Sequence, residues 1–182
     1  GPIGLATWAS EVVQARLRVF DGDVAVIDTL QVTVLNVAPT VSAGANRTIN
    51  EGDTVTFAGS ATDPGADTLT YNWIYGDGQT GNNVGATPQH TYVQEGVFTA
   101  RLTVLDDDGG SGTSTVRITV NNVAPTVSVT PVNGTVNEGS QVGLTATVTD
   151  PGADTLTYTW DYGDGQNRTG TNLTSVQHTW VQ

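Results

Sequence analysis

The residues in this sequence with the clearest potential for chemistry are carboxylates that stand beside glycine or proline. Asp63 and Asp67 lie in the segment DPGAD, and Asp106, Asp107 and Asp108 open the segment DDDGG. Calcium prefers carboxylate and carbonyl oxygens, of which it takes about six to eight. The two segments form a calcium site if the fold brings them together. If it does not, aspartate before glycine or proline is ordinary turn chemistry.

A second candidate is the stretch WIYGDG at 73–78, which returns as WDYGDG at 160–165. An aspartate between two glycines beside aromatic residues could be a ligand, a catalyst or a turn. His90 and His178 follow the two copies, and no serine or cysteine nucleophile is patterned beside them. We interpret the tryptophans as core residues, GDG as a tight turn in which glycine permits positive φ, and the histidines as buried hydrogen-bonding residues.

These stretches belong to an internal repeat. The segment NVAPTVS begins at Asn36 and again at Asn122, which is 86 residues later, and TDPGADTLTY begins at Thr62 and again at Thr149. ARLRVFDGD at 15–23 resembles ARLTVLDDD at 100–108, and each runs on to an NVAPT segment. The sequence therefore contains one repeat in full and parts of two others.

Within the repeat, apolar residues alternate with polar ones, which predicts half-buried strands. Turn segments such as NEGD, GDGQ and QEG separate the alternating runs at intervals of about ten residues. Short strands with this spacing are typical of a β-sandwich. The apolar faces of two such strands are Leu69, Tyr71, Trp73 and Tyr75 in one, and Phe98, Ala100, Leu102 and Val104 in the other.

Strand parity indicates which turns share an end of the sandwich. Because each strand reverses direction, DPGAD and DDDGG return to the end at which the repeat begins, whereas Glu51 turns at the opposite end. Calcium bound at the end where the repeat begins would stiffen the joint between repeats. The candidate ligands are Asn36, Asp63, Asp67, Asp106 and Asp108 in the complete copy, and Asn122, Asp150 and Asp154 in the next, with Glu51 approaching from the preceding copy.

Composition excludes several classes of function. The chain has 18 acidic and 6 basic residues, and its net charge of −12 opposes binding to nucleic acid and to anionic membranes. It has no cysteine and no lysine, which removes thiolate metal sites, cysteine nucleophiles and Schiff-base chemistry. No run of 18 apolar residues occurs, so we expect no membrane insertion.

The combined pattern resembles the PKD (polycystic kidney disease) domain, whose signature is a Trp-x-aromatic-Gly-Asp-Gly strand end followed by a His-Thr-Tyr triplet. This resemblance covers nearly the whole chain and implies tandem immunoglobulin-like β-sandwiches of an extracellular protein. Some members of that family bind calcium at the start of the domain. The matching residues are Trp73, Tyr75, Gly76, Asp77, Gly78, His90, Thr91 and Tyr92, then Trp160, Tyr162, Gly163, Asp164, Gly165, His178, Thr179 and Trp180.

The predicted domains are a complete unit at 36–121 and a unit at 122–182 that lacks its last two strands. Residues 1–35 match those two strands and are candidate donor strands. Two explanations stay open. Strands exchange between molecules in a head-to-tail filament, or the sequence is a segment of a longer tandem array.

The leading functional hypothesis is a non-catalytic structural or adhesive repeat protein, extracellular or at the cell surface. It forms a filament or stalk with copies of itself, with calcium as a cofactor at the junctions. No nucleophile, base and orienting group are patterned together, so we expect no enzyme activity. The alternative is an accessory module of a larger secreted hydrolase that binds polysaccharide or protein of the extracellular matrix.

Overall fold

The computed structural model describes residues 10–65, 67–130 and 135–181. Within these ranges the chain forms strands and no helix, so the predicted all-β fold class is confirmed. The strands are β1 (Ser10–Phe20), β2 (Ala25–Leu35), β3 (Thr40–Ser42), β4 (Arg47–Asn50), β5 (Thr54–Thr56), β6 (Ser60–Thr62), β7 (Thr70–Ile74), β8 (Thr80–Asn82), β9 (Gln89–Thr91), β10 (Gly96–Leu105), β11 (Ser111–Asn121), β12 (Thr126–Val129), β13 (Gln141–Thr149), β14 (Thr157–Asp161), β15 (Asn167–Thr171) and β16 (Ser175–Thr179).

The period-two pattern of the sequence determines which side chains are buried. In β10, Ala100, Leu102 and Val104 are fully buried, whereas Arg101 and Leu105 between and beside them are exposed. Successive side chains of a strand point to opposite faces, so one face packs in the core while the other meets solvent. No helix in the described ranges has the length and apolar character needed to cross a membrane.

The complete repeat is built on a five-stranded sheet with the order β4-β11-β10-β7-β8. Within it β10 and β7 are antiparallel, with Leu102 opposite Trp73 and Arg101 opposite Ile74. Two smaller pairs, β3 with β6 and β5 with β9, supply further strands.

The chain divides into two compact units, and the first has an aromatic core. This unit takes the described parts of Gly1–Arg47, Val55–His90 and Phe98–Ile118. Trp73 is fully buried, and its ring lies 4.6 Å from that of Phe57. Its indole nitrogen donates a hydrogen bond to the carbonyl of Gly85 at 3.2 Å. The interpretation of Trp73 as a core residue is confirmed.

The first unit also contains the hairpin of β1 and β2, which pair with each other and with no other described strand. Their register runs from Ser10 opposite Leu35 to Phe20 opposite Ala25. At the turn the Asp21 carboxylate accepts hydrogen bonds from the amides of Asp23 and Val24, and Gly22 has a φ of +112°. Both faces of this hairpin are exposed.

The second unit takes the described parts of Thr48–Thr54, Thr91–Val97 and Thr119–Gln182. Its two sheets have the orders β12-β13-β16 and β14-β15. Val142 and Val176 are buried in it, but Trp160 is only half-buried. β14 has β15 as its one partner among the described strands, so its other edge is unpaired.

Candidate functional site

The fold brings three carboxylates of the first unit together, and we call Asp63, Asp67 and Asp106 the first carboxylate cluster. One oxygen from each lies within 4.8 Å of the others. Asp106 is buried, and its carboxylate accepts hydrogen bonds from the Gly110 amide at 2.6 Å and from the Asn36 side chain at 3.0 Å. Asn36 is thus held beside the cluster by its amide nitrogen, which leaves its oxygen as the potential ligand.

Local turn chemistry positions the other members of this cluster. The Asp63 Oδ1 atom accepts a hydrogen bond from the Gly65 amide at 2.9 Å, as expected for aspartate at the start of a turn. The Asp63 Oδ2 atom is buried without a hydrogen-bond partner among the described residues. Burial raises the pKa of Asp67, and the neighbouring Asp63 carboxyl raises it further.

A second group of three lies in the second unit, and we call Glu51, Asp150 and Asp154 the second carboxylate cluster. One oxygen from each again lies within 4.8 Å of the others. Glu51 is 2% exposed, and its Oε1 atom accepts a hydrogen bond from the Val123 amide at 2.7 Å. In the described part of the chain, neither Glu51 Oε2 nor Asp150 Oδ2 has a hydrogen-bond partner, although both atoms are buried.

Backbone hydrogen bonds hold the Glu51 turn in place. The Glu51 amide donates to the carbonyl of Asn121 at 3.0 Å, and the Gly52 amide donates to the carbonyl of Tyr92 at 2.8 Å. Gly52 has a φ of +80°, and a Cβ atom there would lie 3.0 Å from that of Pro151. Glycine is therefore required for both the conformation and the close approach.

Burial and the neighbouring carboxylates both oppose ionisation of Asp154. Burial raises the pKa of Asp154, and the carboxylates of Glu51, Glu95 and Asp150 raise it further, against the side-chain hydrogen bond from Gln94. Like charges held at short distance disfavour the ionised state unless a cation or a proton compensates them.

Besides Asn36, which lies beside the first cluster, two predicted ligands lie outside the clusters. Asp108 is exposed, and its neighbour Asp107 accepts a hydrogen bond from the Thr68 amide at 3.0 Å. Asn122 is also exposed, whereas the adjacent Val123 donates its amide to Glu51. Strand parity predicts which loops share an end of the sandwich, but it does not say which of three consecutive aspartates turns inward.

The histidines and the GDG aspartates form a pair in each repeat, which the sequence reasoning missed. His90 Nε2 lies 2.6 Å from Asp77 Oδ2, and His178 Nε2 lies 2.7 Å from Asp164 Oδ2. The histidine and the GDG aspartate recur together in both copies, and this recurrence was the signal in the sequence for their pairing. Both histidines are buried, as expected of hydrogen-bonding core residues.

An aromatic ring covers each pair. The His90 ring stacks on Tyr75 with centroids 4.0 Å apart, and the His178 ring stacks on Tyr162 at 3.9 Å. Trp180 stands at the repeat position of Tyr92, and its indole nitrogen donates to the Tyr162 carbonyl at 3.0 Å. Stacking on the tyrosine ring and hydrogen bonding to the aspartate fix the orientation of each imidazole. The His–Asp pair therefore has a structural role.

The donor sets of both clusters suit a hard divalent cation. Each offers three carboxylates, and each contains a buried oxygen that no described protein group satisfies. Such an oxygen is costly unless a cation or proton reaches it. Carboxylates with added backbone carbonyls and water match the coordination of Ca²⁺.

Comparison with known proteins gives the family of the repeat. A protein-family model described as "PKD domain" matches residues 36–120 and again residues 122–182. The resemblance drawn from the sequence is confirmed by this match. Among solved structures, the PKD1 domain of Vibrio anguillarum Epp is 29% identical with a TM-score of 0.39, over 47% of this chain and 95% of that one.

The matched curated proteins are larger than this chain. Chitinase A of Pseudoalteromonas piscicida is 33% identical over 133 residues, which are 69% of this chain and 16% of the chitinase. Microbial collagenase of Vibrio alginolyticus is 32% identical over 91 residues, which are 50% of this chain and 11% of the collagenase. The chain thus spans less than a fifth of the length of either relative.

Proposed function

Since the chain belongs to the PKD domain family of non-catalytic immunoglobulin-like modules, we propose that it is a structural repeat of an extracellular protein. Its repeats act as spacers in a stalk or filament, in which the exposed hairpin of one copy packs against residues 122–182 of a neighbour. The observation that supports this role is a matched pair of exposed surfaces, the hairpin of β1 and β2 and the edge of β14 that has no partner among the described strands.

The hairpin exposes the residues that the complete repeat buries. Leu17 stands at the repeat position of Leu102, yet it is 66% exposed where Leu102 is 0% exposed. Val32 stands at the position of Ile118 and is 41% exposed where Ile118 is 0% exposed. Apolar surface of this extent on paired strands favours association because burying it removes it from water.

The repeat at 122–182 exposes a complementary apolar surface. Trp160 stands at the position of Trp73 but is only half-buried. An apolar groove of about 270 Å³ opens beside it. Its lining residues are Pro125, Val127, Val129, Ala146, Val148, Leu156, Thr157, Tyr158, Thr159 and Trp160.

The register of the complete repeat predicts how a donor hairpin would fit. Because β10 pairs with β7 with Arg101 opposite Ile74, the equivalent β1 of a second copy would pair with β14. Arg16 would then face Asp161, which stands at the position of Ile74. This places opposite charges on the exposed face of the new pair, where cross-strand ion pairs stabilise a sheet.

A cysteine pair tests the donation directly, since the chain has no cysteine of its own. An Arg16→Cys chain mixed with an Asp161→Cys chain should form a disulfide-linked heterodimer under mild oxidation. A Glu11→Cys chain mixed with the same partner is the matched control, because five residues along a strand displace it by about 17 Å. Equal yields from the two mixtures, or no heterodimer from either, would contradict strand donation.

The names of the relatives favour a second candidate, an accessory module of a larger secreted hydrolase. Binding an insoluble polysaccharide by stacking would need a flat aromatic surface. Phe20 is the one exposed aromatic residue in the described ranges. We therefore favour spacing over substrate binding, and retention of the chain on insoluble chitin in a pull-down would reverse that preference.

The proposal includes calcium at the two carboxylate clusters, which would stiffen the joints between repeats. It is supported by the buried oxygens of Asp63, Asp150 and Glu51 that lack protein donors in the described chain. A ligand bound only to the folded state stabilises it by mass action. Calcium should therefore raise the melting temperature, and a chelator should lower it.

A further inference from the structure

We propose that Glu51 is the calcium ligand through which one repeat contributes to the cation site of the next. This inference rests on the proposed calcium binding and names the residue by which the preceding repeat takes part in the second site. Glu51 follows β4 in the complete repeat, whereas Asp150 and Asp154 belong to the loop after β13 in the following one.

The Glu51 side chain is almost fully buried, which is unusual for a glutamate in a turn. It is 2% exposed, which is exceptional for a carboxylate that has no positively charged partner among the described residues. Only Oε1 has a described hydrogen bond, from the Val123 amide at 2.7 Å, and Oε2 is left without one. Removing a charged oxygen from water without a donor is costly, so a positive ion beside Oε2 is the simplest compensation.

The surroundings direct Oε2 to the other two carboxylates. A Cβ atom at Gly152 would lie 2.5 Å from Glu51 Oε2, so the glycine leaves the space that this oxygen uses. The Asp150 Oδ1 atom is engaged by the Gly152 amide at 3.1 Å, whereas its buried Oδ2 atom has no partner in the described chain. Two unsatisfied oxygens from different repeats therefore lie in one cluster with Asp154.

Each cluster combines the two aspartates of a DPGAD loop with a third carboxylate from another segment. In the first cluster it is Asp106, from the loop between β10 and β11 of the same repeat. In the second cluster it is Glu51, from the turn of the preceding repeat. Calcium at the second site would therefore depend on the Glu51 turn as well as on Asp150.

Glu138 provides a matched control within the chain. It stands at the repeat position of Glu51 in the second NEG segment, but it is exposed and belongs to neither cluster. Glu138→Gln therefore makes the same chemical change as Glu51→Gln but lies outside the proposed site.

The experiment counts calcium ions bound to the full chain by equilibrium dialysis at neutral pH. The unchanged chain and the Glu138→Gln variant should each bind two ions, whereas Glu51→Gln and Asp63→Asn should each bind one. Glutamine keeps an oxygen for the Val123 amide, so the turn should survive. Should Glu51→Gln misfold, the shorter Glu51→Asp should fold and bind its second ion at least about 10-fold more weakly, a loss of about 1.4 kcal/mol.

Hydrogen exchange at the Val123 amide gives a local second measurement. Calcium should slow this exchange in the unchanged chain and have no effect on it in Glu51→Gln. Two bound ions in Glu51→Gln, with unchanged affinity, would overturn the role of Glu51 and leave calcium binding intact. No bound calcium in the unchanged chain would overturn both, and a single ion lost only in Asp63→Asn would leave the first site alone.

Discussion

Asp77 and Asp164 each join a tight turn to a buried histidine. The Asp77 Oδ1 atom accepts a hydrogen bond from the Gln79 amide at 3.0 Å, and the same bond recurs from Gln166 to Asp164. The second oxygen of each carboxylate pairs with the imidazole. At the scale of the residue, an aspartate that resembled a catalyst or a ligand is a structural tie between two segments of one repeat.

This tie predicts an acid-sensitive contribution to stability. The His178 hydrogen bond, with the Gln166 amide, holds the pKa of Asp164 below its ordinary value. A lowered folded-state pKa means that the carboxylate stabilises the fold above about pH 4, and this stabilisation is lost as the pH falls through the folded-state pKa. The melting temperature of the unchanged chain should therefore fall more steeply between about pH 5 and about pH 3 than that of Asp164→Asn.

Asp28→Asn is the control for this pH series, because Asp28 is exposed in the hairpin and bonds only the Thr29 amide among the described contacts. Its melting temperatures should follow those of the unchanged chain at each pH. Identical pH slopes for Asp164→Asn and the unchanged chain would show that the pairing with His178 does not contribute.

At the scale of the element, one strand sequence has different surroundings in the two repeats. β7 lies between β10 and β8, and its Trp73 is fully buried. β14 has one partner in the described structure, and its Trp160 is half-buried. The strands form in both cases because alternation is local, but the burial of their apolar faces depends on neighbours that come from elsewhere in the chain.

Replacing leucine with alanine at the same repeat position, in β10 and in β1, tests how burial affects stability. Leu102→Ala should destabilise the chain by about 2 to 5 kcal/mol, because it leaves a cavity in a closed core. Leu17→Ala should change the free energy of unfolding by less than about 0.5 kcal/mol in dilute solution, because the side chain is 66% exposed. Urea unfolding measures both, and a large cost for Leu17 in the dilute chain would mean that the hairpin is already packed.

At the scale of the whole molecule, the proposed self-association would have to overcome a net charge of −12. Such a charge keeps copies of the chain apart unless specific contacts or bound cations offset it. The donor hairpin offers apolar residues together with Arg16 and Arg18, two of the 6 basic residues of the chain. Because the same hairpin carries four acidic residues, only local pairs such as Arg16 with Asp161 would offset the repulsion between copies.

Removal of residues 1–35 should abolish this assembly and leave the strand content of residues 36–182 in place. Sedimentation velocity would show monomers for the shortened chain and larger species for the unchanged one. A shortened chain that assembles as well as the full chain would contradict the donor role.

A charge exchange tests the register without deleting the hairpin. Arg16→Glu should weaken assembly, because it places a carboxylate opposite Asp161. Adding Asp161→Arg should restore assembly, since the pair regains opposite charges in the reversed order. Failure of the double variant to recover would mean that the two residues do not face each other.

The sequence alone determined the all-β fold, the repeat and the identity of core residues such as Trp73, because alternation and turn chemistry act over a few residues. The sequence also predicted that Asp63 and Asp67 lie at the same end of the sandwich as Asp106, because strand parity depends only on how often the chain reverses direction. Only the tertiary structure decided that His90 pairs with Asp77, that Asp107 accepts the Thr68 amide rather than joining the cluster, and that Glu51, expected beside Asp150, is almost fully buried. These contacts join residues far apart in the chain, and they depend on side-chain directions that a period of two does not specify.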